Sequence, residues 1–507
     1  MTDVALWSTA AVAGPLLGAI LTLVRGRLFT QLGLAVAAAS SLLAGLGLTR
    51  IVALEGPGRH LLGGWGAPLG IELLADGLAV IMLLTTAGVG SAVSLYATAY
   101  FGDVDDPGMD VAPGGRAARF FTPVWLLLWT SLNGVFLSGD LFNLYVNLEI
   151  LGLSAAAVVT LAVTAKATLA GMRYLLVSLV GSMLFLLGVA LLYTAYGTLS
   201  LEGLAAAGPT GVVPAVALGA MTVGLAAKTA LFPLHAWLPP AHSAAPAPGS
   251  ALLSALVVKA SFYIIVRLWL HVYGVGLVGA GEGALLFLGA LGAGAVVWGS
   301  LLALRQLSLK RLIAYSTVAQ IGYLFIMFPL LPEVAGGVAQ EGEMGWRVDA
   351  WGGGIYHAVS HAFAKAAMFL AAGTMTYAVA DDSLPSISGI AHRLPMSFLA
   401  FGLGGLSLAG LPPSGGFVAK WLMLSAALAT DRWLWAGIIA LGGLLTIAYV
   451  LLVMRYALEV RETPTAFRSV PRRMEWTAMA LALTAVALGF RAVEILDLLD
   501  VGGAAPW

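Results

Sequence analysis

The feature that most constrains the fold of this chain is a succession of apolar stretches. Each is about 20 residues long, the length at which a helix crosses a hydrocarbon core of about 30 Å. Hydrophobic residues make up 60% of the chain and charged residues only 10%, a composition outside the range of soluble domains. We therefore expect an all-α polytopic membrane protein in the lipid bilayer, with about fourteen transmembrane helices. The predicted spans lie at 4–24, 31–53, 72–96, 120–138, 141–163, 172–196, 211–231, 247–270, 283–303, 309–330, 352–379, 396–428, 433–456 and 474–491.

The seventh and twelfth predicted spans contain helix breakers. In the seventh, Pro233 and four further prolines follow Lys228; in the twelfth, Leu411–Gly416 (LPPSGG) precedes Lys420. Proline removes a backbone donor and ends helical hydrogen bonding, and such backbone persists at membrane depth only where it is buried in protein or lines a wet cavity. Because the breaks are five spans apart, the pattern predicts two inverted five-helix repeats with broken helices 7 and 12.

This interpretation divides the chain into four segments. Residues 1–119 would form an N-terminal three-helix segment, and residues 120–273 the first five-helix repeat, spans 4–8. Residues 274–456 would form the second repeat, spans 9–13, and residues 457–507 a basic cytoplasmic loop, the last span and a C-terminal tail.

Lysine and arginine are concentrated in the loops after odd-numbered spans. Those loops contain Arg25, Arg27, Arg116, Arg119, Lys166, Arg305, Lys310, Arg393, Arg461, Arg468, Arg472 and Arg473. The other loops contain few, among them Arg59, Arg347 and Arg432. Because cytoplasmic loops carry the excess of basic residues, we expect a multi-pass protein of the cell inner (plasma) membrane with both termini on the outer side.

Composition also excludes several kinds of function. The chain has no cysteine, so disulfides, iron–sulfur ligation and thiolate chemistry are excluded within it. The formal charge is zero and no basic run is interleaved with aromatics, which argues against a nucleic-acid partner. No nucleophile with a base and no metal cluster is recognisable, so we expect no catalytic residue, cofactor or metal in this chain. Membership of a larger translocase enzyme stays open.

One glutamate, Glu149, lies in the apolar run of the fifth predicted span, and four lysines, Lys228, Lys259, Lys365 and Lys420, lie in other predicted spans. An ionisable side chain at mid-membrane costs about 2.5–3.5 kcal/mol on insertion scales, so its repeated use indicates a pathway for protons or ions. Two ammonium groups about 8 Å apart repel by about 2 kcal/mol at an effective dielectric of about 20. Protonation of one lysine would therefore discourage protonation of its neighbour.

Three histidines extend this set. His357, His361 and Lys365 recur every four residues and so share one helix face. The pair of histidines lacks the further ligand that a zinc site needs, which leaves a proton relay or polar helix packing. His235 lies beside the break in the seventh span, where it would either gate water or cap exposed carbonyls.

Four sequence motifs resemble one family. The stretch Lys228–Pro239 (KTALFPLHAWLP) is similar to the most recognisable element of the antiporter-like subunits shared by respiratory complex I, Mrp-type cation/proton antiporters and membrane-bound hydrogenases. Asp140–Tyr145 leading to Glu149, Leu309–Tyr323, and Leu408–Phe417 running to Lys420 agree with it. These motifs cover most of residues 120–430.

The resemblance implies a proton-translocating module with a hydrophilic axis at the membrane midplane. Glu149 and Lys228 would be the interacting pair of the first half and Lys259 the connecting residue. The His357/His361/Lys365 group would bridge the second half, and Lys420 would be the terminal site.

Lys420 and the chain length favour the D-like component of a multi-subunit Mrp-type antiporter, which would exchange H⁺ for a monovalent cation such as Na⁺ together with other membrane subunits. The alternative is a proton-pumping subunit of a complex I-like NADH-quinone oxidoreductase or of a membrane-bound hydrogenase.

Overall fold

Helices of membrane-spanning length dominate the structure. It is a computed structural model that describes residues 3–24, 26–102, 115–274, 281–331, 341–460 and 467–501, without the side chains of 116, 281 and 341–347. Parts of the predicted basic loop (461–466) and C-terminal tail (502–507) lie outside the described residues. So do the loop cations Arg25 and Arg461 and the side chains of Arg116 and Arg347.

The first half of the chain begins with two long helices and continues with a series that ends in a broken one. Its helices are α1 (Asp3–Leu23), α2 (Arg27–Glu55), α3 (Gly77–Tyr100), α4 (Gly115–Leu137), α5 (Leu141–Thr160), α6 (Ala165–Tyr196), the short α7 (Leu201–Ala207), α8 (Val212–Thr229) and α9 (Leu238–Ala244). Buried side chains at N-caps fix several starts; the Asp140 carboxylate, for example, accepts a hydrogen bond from Asn143 N at 2.7 Å, which satisfies a free donor of the first turn of α5.

The eighth predicted span is a continuous helix, Ala247–Val272, of changing geometry. It consists of α10 (Ala247–Leu252), a π-helical segment Leu253–Val257, α11 (Val258–Val266) and a second π-helical segment Arg267–Val272. Residues 245–270 are all buried, so this helix lies at the centre of the bundle. π-Helical turns inside α-helices are frequent at functional sites.

The second half repeats the mixture of long and broken helices. Its helices are α12 (Gly281–Leu304), α13 (Leu309–Leu330), α14 (Glu341–Val379), the short α15 (Ile390–Arg393), α16 (Pro395–Ala409), α17 (Gly415–Ala429), α18 (Trp433–Leu458), α19 (Arg472–Ala487) and α20 (Ala492–Asp500).

Both predicted helix breaks are present. α8 ends at Thr229, and Ala230 adopts a left-handed conformation with φ 61°. α16 ends at Ala409, and Gly410 follows with φ 81°. Each break places a buried lysine beside non-helical backbone, Lys228 before the first break and Lys420 after the second.

Twelve helices of the described ranges are long and apolar enough to cross a membrane, or thirteen if Arg472–Phe490 and Ala492–Asp500, bent by 72°, form one span. The shorter apolar helices α16 and α17 occupy the place of the predicted twelfth span. The polytopic all-α membrane fold is therefore confirmed. The total of about fourteen spans, the inverted repeats and the four-segment division stay predictions.

A small β-hairpin, not predicted from the sequence, joins α2 to α3. Its strands β1 (Gly58–Leu61) and β2 (Glu72–Ala75) pair antiparallel. Glu72 N also donates to the Asp140 carboxylate at 3.1 Å, which fastens the hairpin to the start of α5.

Candidate functional site

The four predicted lysines are all buried, and each ammonium group contacts a backbone carbonyl. Lys228 is 4% exposed, Lys420 6%, and Lys259 and Lys365 are fully buried. The carbonyl acceptors are Ser178 O and Leu148 O for Lys228, Ser254 O for Lys259, Ile313 O for Lys365 and Leu408 O for Lys420. Backbone carbonyls therefore accept hydrogen bonds from all four ammonium groups.

Lys228 lies at the end of α8 and reaches into the α5/α6 interface. Its Nζ donates to Ser178 Oγ at 2.8 Å and Ser182 Oγ at 2.6 Å, both on α6. A further hydrogen bond of 3.1 Å goes to Ser178 O. Two serines four residues apart face the same side of a helix, so α6 presents a polar notch to the lysine.

Glu149 lies on α5, one residue after Leu148, whose carbonyl accepts a long 3.5 Å hydrogen bond from Lys228. The side chain is half-buried, and its buried Oε1 has no hydrogen-bond partner among the described residues. Glu149 is near enough to Lys228 for an electrostatic interaction, but the two form no ion pair within the described structure. Glu149 and Lys228 therefore lie on different helices, α5 and α8, and serine hydroxyls and backbone carbonyls directly surround the ammonium group.

Lys259 lies on α11, directly after the first π-helical segment. Its Nζ donates to Ser254 O at 2.6 Å, and Ser254 Oγ in turn bonds Thr317 Oγ1 on α13 at 2.8 Å. These contacts join the central helix to the second half of the chain. No hydrogen bond between described residues connects Lys228 directly to Lys259.

α13 brings together the polar groups of the second half. Lys365, on α14, bonds Ile313 O at 3.1 Å and makes a short hydrogen bond to Ser316 Oγ. Gln320 O contacts His357 Nε2 at 3.2 Å. On α13, therefore, Ser316 bonds Lys365, Thr317 bonds Ser254, and Gln320 contacts His357.

His357 and His361 stack, with ring centroids 5.7 Å apart and planes at 18°. Both are 1% exposed, and His357 Nδ1 and both ring nitrogens of His361 lack a hydrogen-bond partner among the described residues. His361 is within electrostatic range of Lys259, Lys365 and Lys420. The predicted group His357/His361/Lys365 therefore lies together at the centre of the lysine set.

Lys420 lies on α17, after the second helix break. Its Nζ donates to Leu408 O at 2.7 Å and lies 4.0 Å from the centroid of the Tyr323 ring. The face of an aromatic ring attracts a cation. Tyr323 also packs against His357, with centroids 5.3 Å apart, so a single ring separates the histidine pair from the terminal lysine.

The two histidines of the first break differ in burial. His235 is half-buried and stacks on Phe232 at 5.7 Å, and its Nδ1 lacks a partner in the described structure. His242, on α9, is fully buried and stacks on Phe369 of α14 at 5.0 Å. It is within electrostatic range of Lys259, Lys310 and Lys365, closer to the lysine set than His235.

None of the four lysines pairs with a carboxylate among the described residues. The buried ion pair in those ranges is elsewhere, between Arg267 and Asp76 at 2.5 Å. Carbonyl and hydroxyl acceptors are neutral, so an amine at these sites gains or loses a proton without leaving a buried counter-ion behind. The arrangement suits groups that change protonation rather than groups that only tie helices together.

Several residues of the site were missed from sequence. Ser178 and Ser182 were not singled out, although their spacing of four residues in an apolar helix was an available signal. Arg267, an arginine inside the predicted eighth span, and its partner Asp76 were also missed. As for metal binding, no group of three His, Asp or Glu side chains suited to a metal ion occurs within the described ranges.

Comparison with known proteins places this geometry in a family. The family profile described as "NADH:quinone oxidoreductase/Mrp antiporter, TM" matches residues 138–446. The N-type component of the NADH-quinone oxidoreductase of Desulforudis audaxviator is 34% identical over 437 residues, which cover 85% of this chain and 81% of that protein. The D-type component of the Na⁺/H⁺ antiporter of Bacillus subtilis is 28% identical over 495 residues, covering 96% of this chain and 94% of the relative.

Two solved structures have the same fold. A chain of the Mrp complex from Dietzia sp. DQ12-45-1b superposes with a TM-score of 0.85 at 24% identity, covering 100% of this chain and 97% of that one. A chain of an archaeal membrane-bound sulfane sulfur reductase superposes with a TM-score of 0.83 at 26% identity, covering 97% and 96%. Both neighbours are parts of multi-subunit membrane complexes. On the sequence and structural evidence together, the chain belongs to the family of membrane subunits shared by NADH:quinone oxidoreductases and Mrp antiporters.

Proposed function

We propose that this protein is a proton-translocating subunit of a multi-subunit cation/proton antiporter. The observation that carries the proposal is the shared solvation of Lys228, Lys259, Lys365 and Lys420 by backbone carbonyls, with no described carboxylate paired to any of them. A structural lysine in a membrane helix pairs with a counter-ion or extends to the interface. These four do neither.

The pathway follows the order of the contacts. Glu149 and Lys228 serve the first half, and Lys259 connects it to Lys365 through Ser254 and α13. His357 and His361 bridge to Lys420 past Tyr323. Their unpartnered ring nitrogens suit hydrogen bonds to water, since buried polar groups are normally satisfied by protein or by ordered water. His235 lies at the first break, where it would control access of water.

Repulsion between neighbouring ammonium groups couples protonation of one lysine to deprotonation of the next. Lys365 is near enough to Lys259 to act on it electrostatically. At a separation of about 8 Å and an effective dielectric of about 20, a charge on one lysine disfavours a charge on the other by about 2 kcal/mol. Arrival of a proton at one site therefore promotes release from the next.

The antiporter assignment rests on Lys420, which favours a D-like component, and on the nearly full-length match to one antiporter relative. The B. subtilis antiporter component aligns with 96% of this chain, and the D. audaxviator oxidoreductase component with 85%. Partner membrane subunits, exchange of H⁺ for a monovalent cation such as Na⁺, and a plasma-membrane location with both termini outside belong to this proposal. A proton-pumping subunit of a complex I-like or hydrogenase-like assembly is the second candidate, supported by the identity to the oxidoreductase component.

The test is proton flux in inverted vesicles that contain the complete assembly encoded with this chain. Wild type and Lys228→Ala are compared under a sodium gradient and, separately, with NADH. Sodium-driven flux that disappears in the variant is the expected result. NADH-driven flux lost in the variant would instead establish the redox pump, and undiminished flux under both conditions would show that the lysine pathway is wrong.

A further inference from the structure

The helix α18 carries two buried polar side chains that the pathway above does not use. Thr446 and Tyr449 are three residues apart, so they share one face of the helix. Both are fully buried, whereas Leu444 and Leu451 of the same helix are exposed. The polar face of α18 is turned toward α13, where Gln320 contacts both side chains.

The hydrogen bonds of these side chains can be counted donor by donor. The Gln320 amide nitrogen has two protons, one for Thr446 Oγ1 at 3.1 Å and one for Tyr449 Oη at 3.3 Å. Thr446 Oγ1 itself donates to Gly442 O at 2.7 Å. The hydroxyl proton of Tyr449 is therefore left for Thr446 Oγ1, at 3.2 Å, or for the Ser316 hydroxyl, with which Tyr449 also interacts.

Ser316 is the member of this group that touches a lysine of the pathway. Its Oγ donates to Ile313 O at 2.8 Å and accepts a short hydrogen bond from Lys365 Nζ. Because the serine proton is directed at Ile313 O, the hydroxyl faces Lys365 as an acceptor. An ammonium group has only donors, and a hydrogen bond from a charged donor is about twice as strong as a neutral one. This orientation of Ser316 therefore favours the protonated form of Lys365.

Tyr449 fixes the orientation of the Ser316 hydroxyl, which could otherwise rotate. Since Tyr449 Oη already accepts a hydrogen bond from Gln320, its proton faces Ser316 and Thr446. Ser316 therefore keeps its own proton on Ile313 O. Ser316 and Gln320 are also fully buried, so bulk water does not compete for these contacts.

We propose that Tyr449 is a positioning residue for proton binding at Lys365. Its hydroxyl, held by Gln320 and Thr446, keeps Ser316 oriented as an acceptor toward the lysine. Tyr449 carries no proton along the pathway itself. The inference rests on the proposed function, in which Lys365 is a proton-binding site.

Other ionisable groups also act on Lys365. Lys259 on α11, His242 on α9 and His361 on α14 are all within electrostatic range of it. The variants below leave these three groups unchanged, so a change in proton binding would report on the contacts made through Ser316.

A matched pair of tyrosine variants tests the positioning role. In vesicles with the complete assembly, the pH profile of proton flux in Tyr449→Phe should shift by about 0.5–1 pH unit toward lower pH, because the protonated lysine loses support from its hydrogen-bonded surroundings. Tyr96→Phe is the control, since Tyr96 is equally buried and bonds Leu370 O at 3.1 Å and Thr374 Oγ1 at 3.2 Å on α14. Its profile should stay where it is in wild type, although both variants should lose similar thermal stability.

Thr446 offers a second test that keeps the tyrosine ring in place. Thr446→Val has nearly the same shape but lacks the hydroxyl, so its pH profile should shift in the same direction as that of Tyr449→Phe. Thr446→Ser retains the hydroxyl and should keep the wild-type profile. Equal profiles in the two Thr446 variants would contradict the proposal.

A double variant shows whether Tyr449 acts through Ser316. Ser316→Ala should shift the profile at least as far as Tyr449→Phe, and adding Tyr449→Phe to it should cause no further shift, because residues in one hydrogen-bond network are not independent. Additive shifts, or lower flux in Tyr449→Phe at every pH without a shift, would overturn the positioning role. If Lys365→Ala abolishes flux while Tyr449→Phe keeps the wild-type profile, the positioning role is wrong and the proposed function stands. If Lys365→Ala retains flux, the proposed function itself fails.

Discussion

The close approach of α6 and α8 makes a demanding prediction for Gly181→Ala. A Cβ at this position would lie 2.7 Å from Gly224 O and 2.9 Å from Lys228 Cγ, where ordinary contact begins at 3.4 Å. α8 must therefore move by about 0.7 Å, the difference between 3.4 and 2.7 Å. The same shift would stretch the hydrogen bonds from Lys228 to Ser182 and Ser178, now 2.6 and 2.8 Å, to about 3.3 and 3.5 Å, the limit for a useful bond.

The expected loss of stability and of proton flux in Gly181→Ala follows from these contacts. Overpacking destabilises by about 1–3 kcal/mol, which outweighs the gain of up to about 1 kcal/mol that alanine gives over glycine in a helix. Proton flux should fall about tenfold, since about 1.4 kcal/mol corresponds to a factor of ten in rate.

Gly219→Ala, on α8 with open space around the added Cβ, is the control, and it should raise stability and leave flux unchanged. The assays are proton flux in vesicles and thermal unfolding of the purified assembly. Identical behaviour of the two variants would refute the packing argument.

Two further predictions concern the terminal lysine and the orientation. Tyr323→Phe keeps the aromatic face over Lys420 and should leave flux near wild type. Tyr323→Leu should lower flux by up to about thirtyfold, because a desolvated cation–π contact contributes about 2 kcal/mol. Equal flux in both variants would show that the ring face is unimportant. For orientation, an impermeant maleimide should label Trp65→Cys in the hairpin from outside the cell. It should label Arg305→Cys only after the cytoplasmic face is exposed. The reverse pattern would show that the membrane orientation is opposite to the proposed one.

The fold was largely predictable because its strongest determinants are local. Apolar runs of about 20 residues fix the membrane helices, and the prolines after Lys228 together with Leu411–Gly416 fix both breaks. The β-hairpin was not predicted, because each strand, Gly58–Leu61 and Glu72–Ala75, has only four residues and the second falls within the predicted third span, 72–96. The contact of Glu72 with Asp140 joins residues 68 positions apart, which local patterns do not reveal.

The site was predictable in its ionisable residues but not in their surroundings. Lysines inside apolar spans are easy to recognise in a sequence. Their hydrogen-bond acceptors are backbone carbonyls, which every residue carries, so residue types do not reveal which carbonyls contact each lysine. The spacing of Ser178 and Ser182 signals a polar helix face, but only the packing of α6 on α8 directs that face toward Lys228. The ion pair of Arg267 with Asp76 joins residues 191 positions apart, beyond the reach of local patterns.

The most direct test of the central claim compares buried and exposed lysines in one assay. Proton flux through the complete assembly in inverted vesicles would be measured for alanine variants of Lys228, Lys259, Lys365 and Lys420, with Lys166→Ala as the exposed control. Loss of flux in each buried-lysine variant, with wild-type flux in Lys166→Ala and intact assembly throughout, is the predicted result. Wild-type flux in the buried-lysine variants would contradict the account, because the four carbonyl-bound lysines would then be structural.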